Sequence, residues 1–493
     1  MSNQGNKFPR LCCFLVILQG IFLMACSQKA TEVVEIELAP PIFPDYTDIM
    51  IPGNIAPLNF KVVWRPEKTV ATINTENGSF KIYGKDKIVF PLKKWKKLLA
   101  KNTGRKISVQ LSAQLGKRQM NYKPFFWDVS ATPIDPFLVY RLIEPGYATT
   151  NNMSINQRNL ENFDEDILID NGFLGTGCIN CHSFCSHDPD KMLFHARQKN
   201  PATYFLRDGN IQKVNTKAGD MIQAAGYPFW HPSGDFVAFS VSQTRQMFYE
   251  GKKPIEVFDL TSNVIVYDVN KHEVLTTPFL FDNAMHSNYP VFTPDGKQLI
   301  YCTGDTVALP QNKHKLKLSL CRVSFDPEER TFGNDIDTLL SAYNTGKSML
   351  HPRVSTDGKH LLFTEMDYGS FSNYNQSANL AIINLATNEY RTLSEINSED
   401  VDSYHSWSST GHWVVFSSRR NDGLYTQPWF TFIDENGEGS KPFLLPQKDP
   451  DNYIYQLKSY NVPELVKGEI KINPYYLREV IQNSSEIESI YQM

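Results

Sequence analysis

Tyr289-Pro290-Val291-Phe292-Thr293-Pro294-Asp295-Gly296-Lys297-Gln298-Leu299-Ile300-Tyr301 decides the fold, because the chain writes it four times. It occurs earlier as Tyr227-Pro228-Phe229-Trp230-His231-Pro232-Ser233-Gly234-Asp235-Phe236-Val237-Ala238-Phe239. It returns as His351-Pro352-Arg353-Val354-Ser355-Thr356-Asp357-Gly358-Lys359-His360-Leu361-Leu362-Phe363, and last as Tyr404-His405-Ser406-Trp407-Ser408-Ser409-Thr410-Gly411-His412-Trp413-Val414-Val415-Phe416. The turn glycines stand 62, 62 and 53 residues apart. Each copy reads strand, tight turn, strand, with the glycine supplying the positive φ that the turn needs. A second strand pair follows each copy, its third strand starting near Asn263, Leu318, Leu380 or Trp429. Four strands per unit cannot bury both of their faces alone, so the units must stack around a ring.

Ahead of the first copy stands Gly177-Cys178-Ile179-Asn180-Cys181-His182-Ser183-Phe184. Two thiols three positions apart, followed at once by an imidazole, form the C-x-x-C-H signature of covalent haem attachment. Cys178 and Cys181 would hold the porphyrin as haem c, and His182 would be the proximal iron ligand. A Cys178–Cys181 disulfide and half of a zinc site are the competing readings, the latter kept open by Cys185, His187 and His195. Laid on the repeat with Asp190 at the turn glycine, the motif enters the innermost strand of the first recognisable unit. The haem would then sit at one mouth of the central channel. The same register puts Tyr227, Tyr289, His351 and Tyr404 at one equivalent position. The candidates for the sixth iron ligand are His351, His405, His286, Met192 and His195, with Met285 and Met349 close by. All 11 histidines lie at or after His182, so the N-terminal part supplies no imidazole.

The repeat resembles the TolB-like (WD40-like) β-propeller repeat over residues 178–446. With the haem motif ahead of it, the chain looks like exported Bacteroidetes lipoproteins of that kind. The fold expected is all-β: an N-terminal β-sandwich-like domain followed by a TolB-like β-propeller of six or more blades. Five blades are accounted for, and a sixth would need strands from the connector or the tail.

The chain opens with Lys7 and Arg10, an apolar run from Leu11 to Met24, and Leu23-Met24-Ala25-Cys26. The run is short for a membrane span and has the form of a signal. Its end resembles a bacterial lipobox, which implies cleavage before Cys26 and lipidation of that thiol. Ser27 after it implies, by analogy, an outer-membrane lipoprotein of the cell envelope, facing the periplasm or the cell surface. Export agrees with the haem reading, since bacteria attach haem to this motif outside the cytoplasmic membrane.

The expected organisation is signal peptide 1–25, tether 26–57, β-sandwich-like domain 58–137, connector 138–177, propeller 178–446 and tail 447–493. The tether reading rests on Pro40, Pro41, Pro44, Pro52 and Pro57, and the connector reading on lost alternation and an Asn/Asp-rich run. Within 58–137 one amphipathic helix is expected, with Trp95, Leu98 and Leu99 inward and five lysines outward. Of eight cysteines, Cys302 and Cys321 end neighbouring strand-like runs and are candidates for a disulfide or for buried free thiols.

A net charge of −4 gives no field for nucleic acid. There is no G-x-S-x-G elbow, no H-E-x-x-H and no glycine-rich phosphate loop. Two functions remain. One is an envelope-anchored monohaem c-type cytochrome for electron transfer or redox sensing, meeting a redox partner protein. The alternative is a haem-free interaction lipoprotein that docks a protein or glycan. Electron transfer or binding is favoured over catalysis, and no catalytic residue is assigned.

Overall fold

A computed structural model describes residues 32–144, 152–219, 221–247 and 255–492 of the 493-residue chain. The signal and lipobox readings, with Cys26, lie outside the described residues.

Six four-stranded antiparallel sheets make a closed β-propeller. Their innermost strands are Ile179–Phe184, Gly226–Trp230, Met285–Phe292, Ser348–Val354, Asp402–Trp407 and Ser459–Val466. We number the blades 1 to 6 in that order. Each inner strand touches the next, and that of blade 6 touches that of blade 1. The second strands have apolar residues on both faces because a blade packs on either side: His360–Met366 is buried throughout. Hairpin turns of the Thr-Pro-Asp-Gly type join first to second strands, with Gly234, Gly296, Gly358 and Gly411 at φ of 74° to 80°.

Blade 6 is assembled from two distant segments. Its inner strand comes from the C-terminal tail and pairs with Phe137–Ile143, which leads to Met153–Asn159 and Glu165–Asp170. The stretch 138–177 expected as connector thus contributes three strands. Its polar residues misled because they are buried and paired within the protein: Gln157 bonds the backbone of Ile470 in both directions, and Arg158 donates to the Pro446 carbonyl. The rest of the tail runs along the outer edge of the ring. Helix Pro474–Asn483 buries Leu477, Val480 and Ile481. Ile487–Glu488 and Ile490–Gln492 then add parallel fifth strands to blades 1 and 2.

The N-terminal domain is sandwich-like, a seven-stranded and a three-stranded sheet over one core. It begins earlier than expected. Glu32–Ile36 pairs with Arg118–Tyr122, and Ile49–Pro52 pairs with Phe125–Ser130. The prolines of the expected tether fall on sheet edges and links, where no ladder donor is needed, while Ile49 and Ile51 are buried. Helix Leu92–Lys101 buries Trp95, Leu98 and Leu99 as the pattern implied. The domain packs on blade 5, where Asp135 accepts from the backbone and hydroxyl of Ser409 at 2.7 and 2.6 Å and Trp413 donates to the Thr132 carbonyl at 2.9 Å.

Candidate functional site in the central channel

Every inner strand bulges at the same level, and each bulge holds a residue with left-handed backbone: Cys181, Tyr227, Tyr289, His351, Tyr404 and Val462, at φ of 48° to 55°. A bulge re-aims its side chain, and six together form a collar around the channel. Tyr227, Tyr289, His351 and Tyr404 share this level as the repeat register predicted. Their rings touch in sequence, with centroids 4.8, 4.1 and 4.2 Å apart. The fifth member is Cys181, two residues before the Ser183 that the alignment implied. Part of the offset is physical, because the turn between Cys185 and Lys191 is one residue longer than that between Thr293 and Gln298.

Around the collar lies a cleft of about 1210 Å³ counted out to its open mouth, lined by Cys178, Cys181, His182, Arg141, Arg197, Tyr227, Tyr289, His351, Arg353, Tyr404 and Glu464 among others. It opens into a wider funnel at the end where the inner strands begin, opposite the hairpin turns, and shares Ile143, Val257, Phe371 and Asn461 with it. Both motif cysteines are free thiols, Cys178 half-buried and Cys181 buried. Cys181 Sγ accepts the Tyr227 N–H at 3.4 Å. Burial pushes its thiol up, against the pull of Arg197.

His182 is 2% exposed, and neither ring nitrogen has a partner at full hydrogen-bond geometry, although the backbone of Val139 and Val462 in blade 6 faces the ring and favours its charged form. Burial, with Arg141 adding to it, pushes the imidazole down to about 3. Its counterpart in blade 5 is His405, which likewise follows the collar residue; the other four blades carry proline there (Pro228, Pro290, Pro352, Pro463). His405 Nε2 lies 3.0 Å from the Leu362 carbonyl, a bond into the neighbouring blade. The same position meets the backbone of a neighbouring blade in both cases, closely in blade 5 and only loosely in blade 1. Two free thiols and a buried, neutral imidazole on one cleft match the donor set of covalent haem, so the residues present fit that group.

Of the five candidates for a sixth ligand, the cleft contains His351 alone. It belongs to blade 4, across the six-membered ring from blade 1, and its Nε2 lies 3.3 Å from Ser372 Oγ. The other four do not line the cleft. His405 is turned between blades, and His286 is 1% exposed near the start of its strand. Met192 is in the apolar core with Leu477 and Ile481, and His195 Nδ1 pairs with Thr203 Oγ1 at 3.1 Å. The residues that kept zinc open are also dispersed. Cys185 Sγ reaches the His231 carbonyl at 3.6 Å and His187 Nδ1 the Leu465 carbonyl at 2.9 Å. Among the described residues no three metal-ligating side chains cluster.

Cys302 and Cys321 sit on paired strands but cannot bridge. Cys302 is opposite Leu320 and Cys321 opposite Tyr301, so they point to opposite faces of the sheet and enter different cores. Both are free.

Sequence reasoning missed the charged lining. Arg141 lies in the expected connector and Glu464 in the tail. Arg353, two residues past His351, carried a signal in the repeat register. Burial lifts the Glu464 carboxyl to about 7 although Arg353 opposes it, and lifts buried Asp259 to about 6 although Thr244 and Asn288 donate to it.

No family model and no curated protein matches the chain. Solved structures do match at low identity. A puromycin-hydrolysing peptidase of Mycobacterium tuberculosis is 10% identical with a TM-score of 0.36, over 84% of this chain and 57% of that one. A prolyl endopeptidase is 12% identical with a TM-score of 0.35, over 64% of this chain and 42% of its own. A putative 6-phosphogluconolactonase of Bacteroides fragilis is 12% identical with a TM-score of 0.32, over 64% of this chain and 96% of that one. The chain therefore spans about half the length of the two peptidases it matches.

Proposed function

We propose that this protein is a monohaem c-type cytochrome of TolB-like lipoprotein type, anchored at the cell envelope through Cys26, that transfers single electrons or senses redox state. The observation that carries the reading is the buried, neutral His182 beside two free thiols on one cleft. Cys178 and Cys181 would tether the group and His182 would hold its metal, with His351 the remaining imidazole of the cleft. Bound haem supplies a reversible one-electron couple, whose potential follows from its axial ligands and burial.

The chain's own residues make the setting for that couple. Blades 1 and 6 keep His182 dry and neutral, which is the form that ligates. The Tyr227, Tyr289, His351 and Tyr404 collar lines the channel with aromatic rings. The funnel leaves the opposite side open, where a redox partner protein would approach.

The full chain, made in a bacterium with the haem maturation machinery, should enter the membrane fraction and give a pyridine haemochrome spectrum of covalent haem. Cys181→Ser should remove the covalent linkage, and Cys26→Ala should move the protein to the soluble fraction with haem retained. A colourless, exported protein would refute the cytochrome and leave the propeller as a docking platform for a protein or glycan.

A further inference from the structure

Two guanidinium groups flank the Cys178–Cys181 segment on the funnel side of the collar, and neither makes an ion pair among the described residues. Arg141 is 7% exposed. Its Nη1 donates to Asn180 Oδ1 and reaches the Ile179 carbonyl at 3.4 Å, which leaves Nε buried without a partner. Arg197 follows the second strand of blade 1, and its backbone N–H donates to the Cys178 carbonyl at 2.9 Å. Its guanidinium lines the cleft.

The nearby acids are partly committed, and the charge of Asp259 also acts on Arg197. Asp259 spends one oxygen on Thr244 at 2.7 Å and the other on Asn288 at 3.0 Å. Glu464 stands two residues beyond the collar towards the turns, where it accepts the Phe184 N–H at 3.1 Å and answers Arg353. The floor of the funnel is therefore left with the Arg141 cation and its unsatisfied Nε donor, beside a half-buried Arg197 that Asp259 balances only through space. A buried cation without an ion-pair partner is costly, and guanidinium forks match the planar or tetrahedral oxygens of an anion.

We propose that Arg141 and Arg197 form a binding site for the oxyanion group of a small ligand, a carboxylate or a phosphate, entering through the funnel. The site stands on the arginines and does not depend on the haem reading. The attachment residues lie beside it, so a bound anion would rest next to whatever Cys178 and Cys181 carry.

The test is calorimetric titration of the full-length protein with succinate and with inorganic phosphate, each up to roughly 10 mM, the range in which weak sites are still measurable. Chloride at matched ionic strength is the control. At least one probe should bind, and the better one identifies the carboxylate or the phosphate source. Arg197→Gln, which removes no described side-chain hydrogen bond, should weaken binding at least tenfold. Arg141→Lys should weaken it while its circular dichroism stays that of the wild type.

The Cys178→Ser/Cys181→Ser protein, which cannot hold covalent haem, should keep the affinity. Loss of binding in that variant would make the anion a ligand of iron and overturn the proposal. Absence of binding by either probe, or unchanged affinity in Arg197→Gln, would overturn it as well. None of these outcomes decides whether haem is attached, which the haemochrome spectrum reads separately.

Discussion

Val462 is the least comfortable of the six collar residues, since a β-branched side chain at φ 48° crowds its own backbone. Asparagine tolerates that region better, and the left-handed conformation costs an ordinary residue about 1–2 kcal/mol. Val462→Asn should therefore stabilise the protein by about 1 kcal/mol, seen as a higher urea midpoint at unchanged slope. A lower midpoint would mean that the contacts of the valine methyls outweigh its strain. At this scale the sequence was partly legible. The repeat register aligned four collar residues because each precedes a recognisable turn. It could not place Val462, whose strand carries no such turn, and it missed Cys181 by two residues.

At the scale of elements, the C-terminal tail divides into parts with different work. Ser459–Val466 is an inner strand in contact with blades 5 and 1, whereas Ile487–Glu488 and Ile490–Gln492 only cover outer edges. Truncation after Ser484 should leave the ring and its cleft intact but uncover the edges of blades 1 and 2. The expected result is a thermal midpoint lowered by several degrees and more association in solution, as exposed edges pair with other chains. Truncation before Ser459 should abolish folding, because blade 6 loses the strand that joins it to blade 5. Equal behaviour of the two truncations in thermal melts would contradict this division. The tail helix shows in the sequence through the helical spacing of Leu477, Val480 and Ile481. The central strand was hidden because Ser459-Tyr460-Asn461-Val462-Pro463-Glu464 has no clean alternation: it lines a polar channel and bulges there.

Across the whole molecule, burial holds many imidazoles neutral. Besides His182, seven histidines are pushed below their ordinary value, desolvation being the largest cause in each: His187, His195, His231, His286, His351, His360 and His405. Such a group binds protons more readily in the unfolded chain. Its contribution to stability is full above 6.5 and declines as the pH falls towards the folded values, about 3 for His195 and His405 and about 4 for His286. Asp259 and Glu464, raised to about 6 and about 7, act in the opposite sense and favour the fold as the pH falls through those values. Eight imidazoles, His182 included, against two carboxyls set the net direction. The denaturation midpoint should fall continuously from pH 6.5 to pH 4, and a flat or rising profile would show that the acids dominate.

What the sequence determined by itself was local and periodic. Four turn glycines at regular spacing dictate hairpins, hairpins in tandem dictate stacked blades, and Cys178, Cys181 and His182 define a donor set by their adjacency alone. What only the tertiary structure decided was long-range. Residues 137–170 and 459–466 are almost 300 positions apart, and each is too polar to declare itself a core strand. They become one blade because each supplies the edge the other lacks, and because a ring of five blades would leave two faces open to water. Closing that ring is also what brings Arg141 and Glu464 into the channel and buries His182 against the backbone of Val139 and Val462.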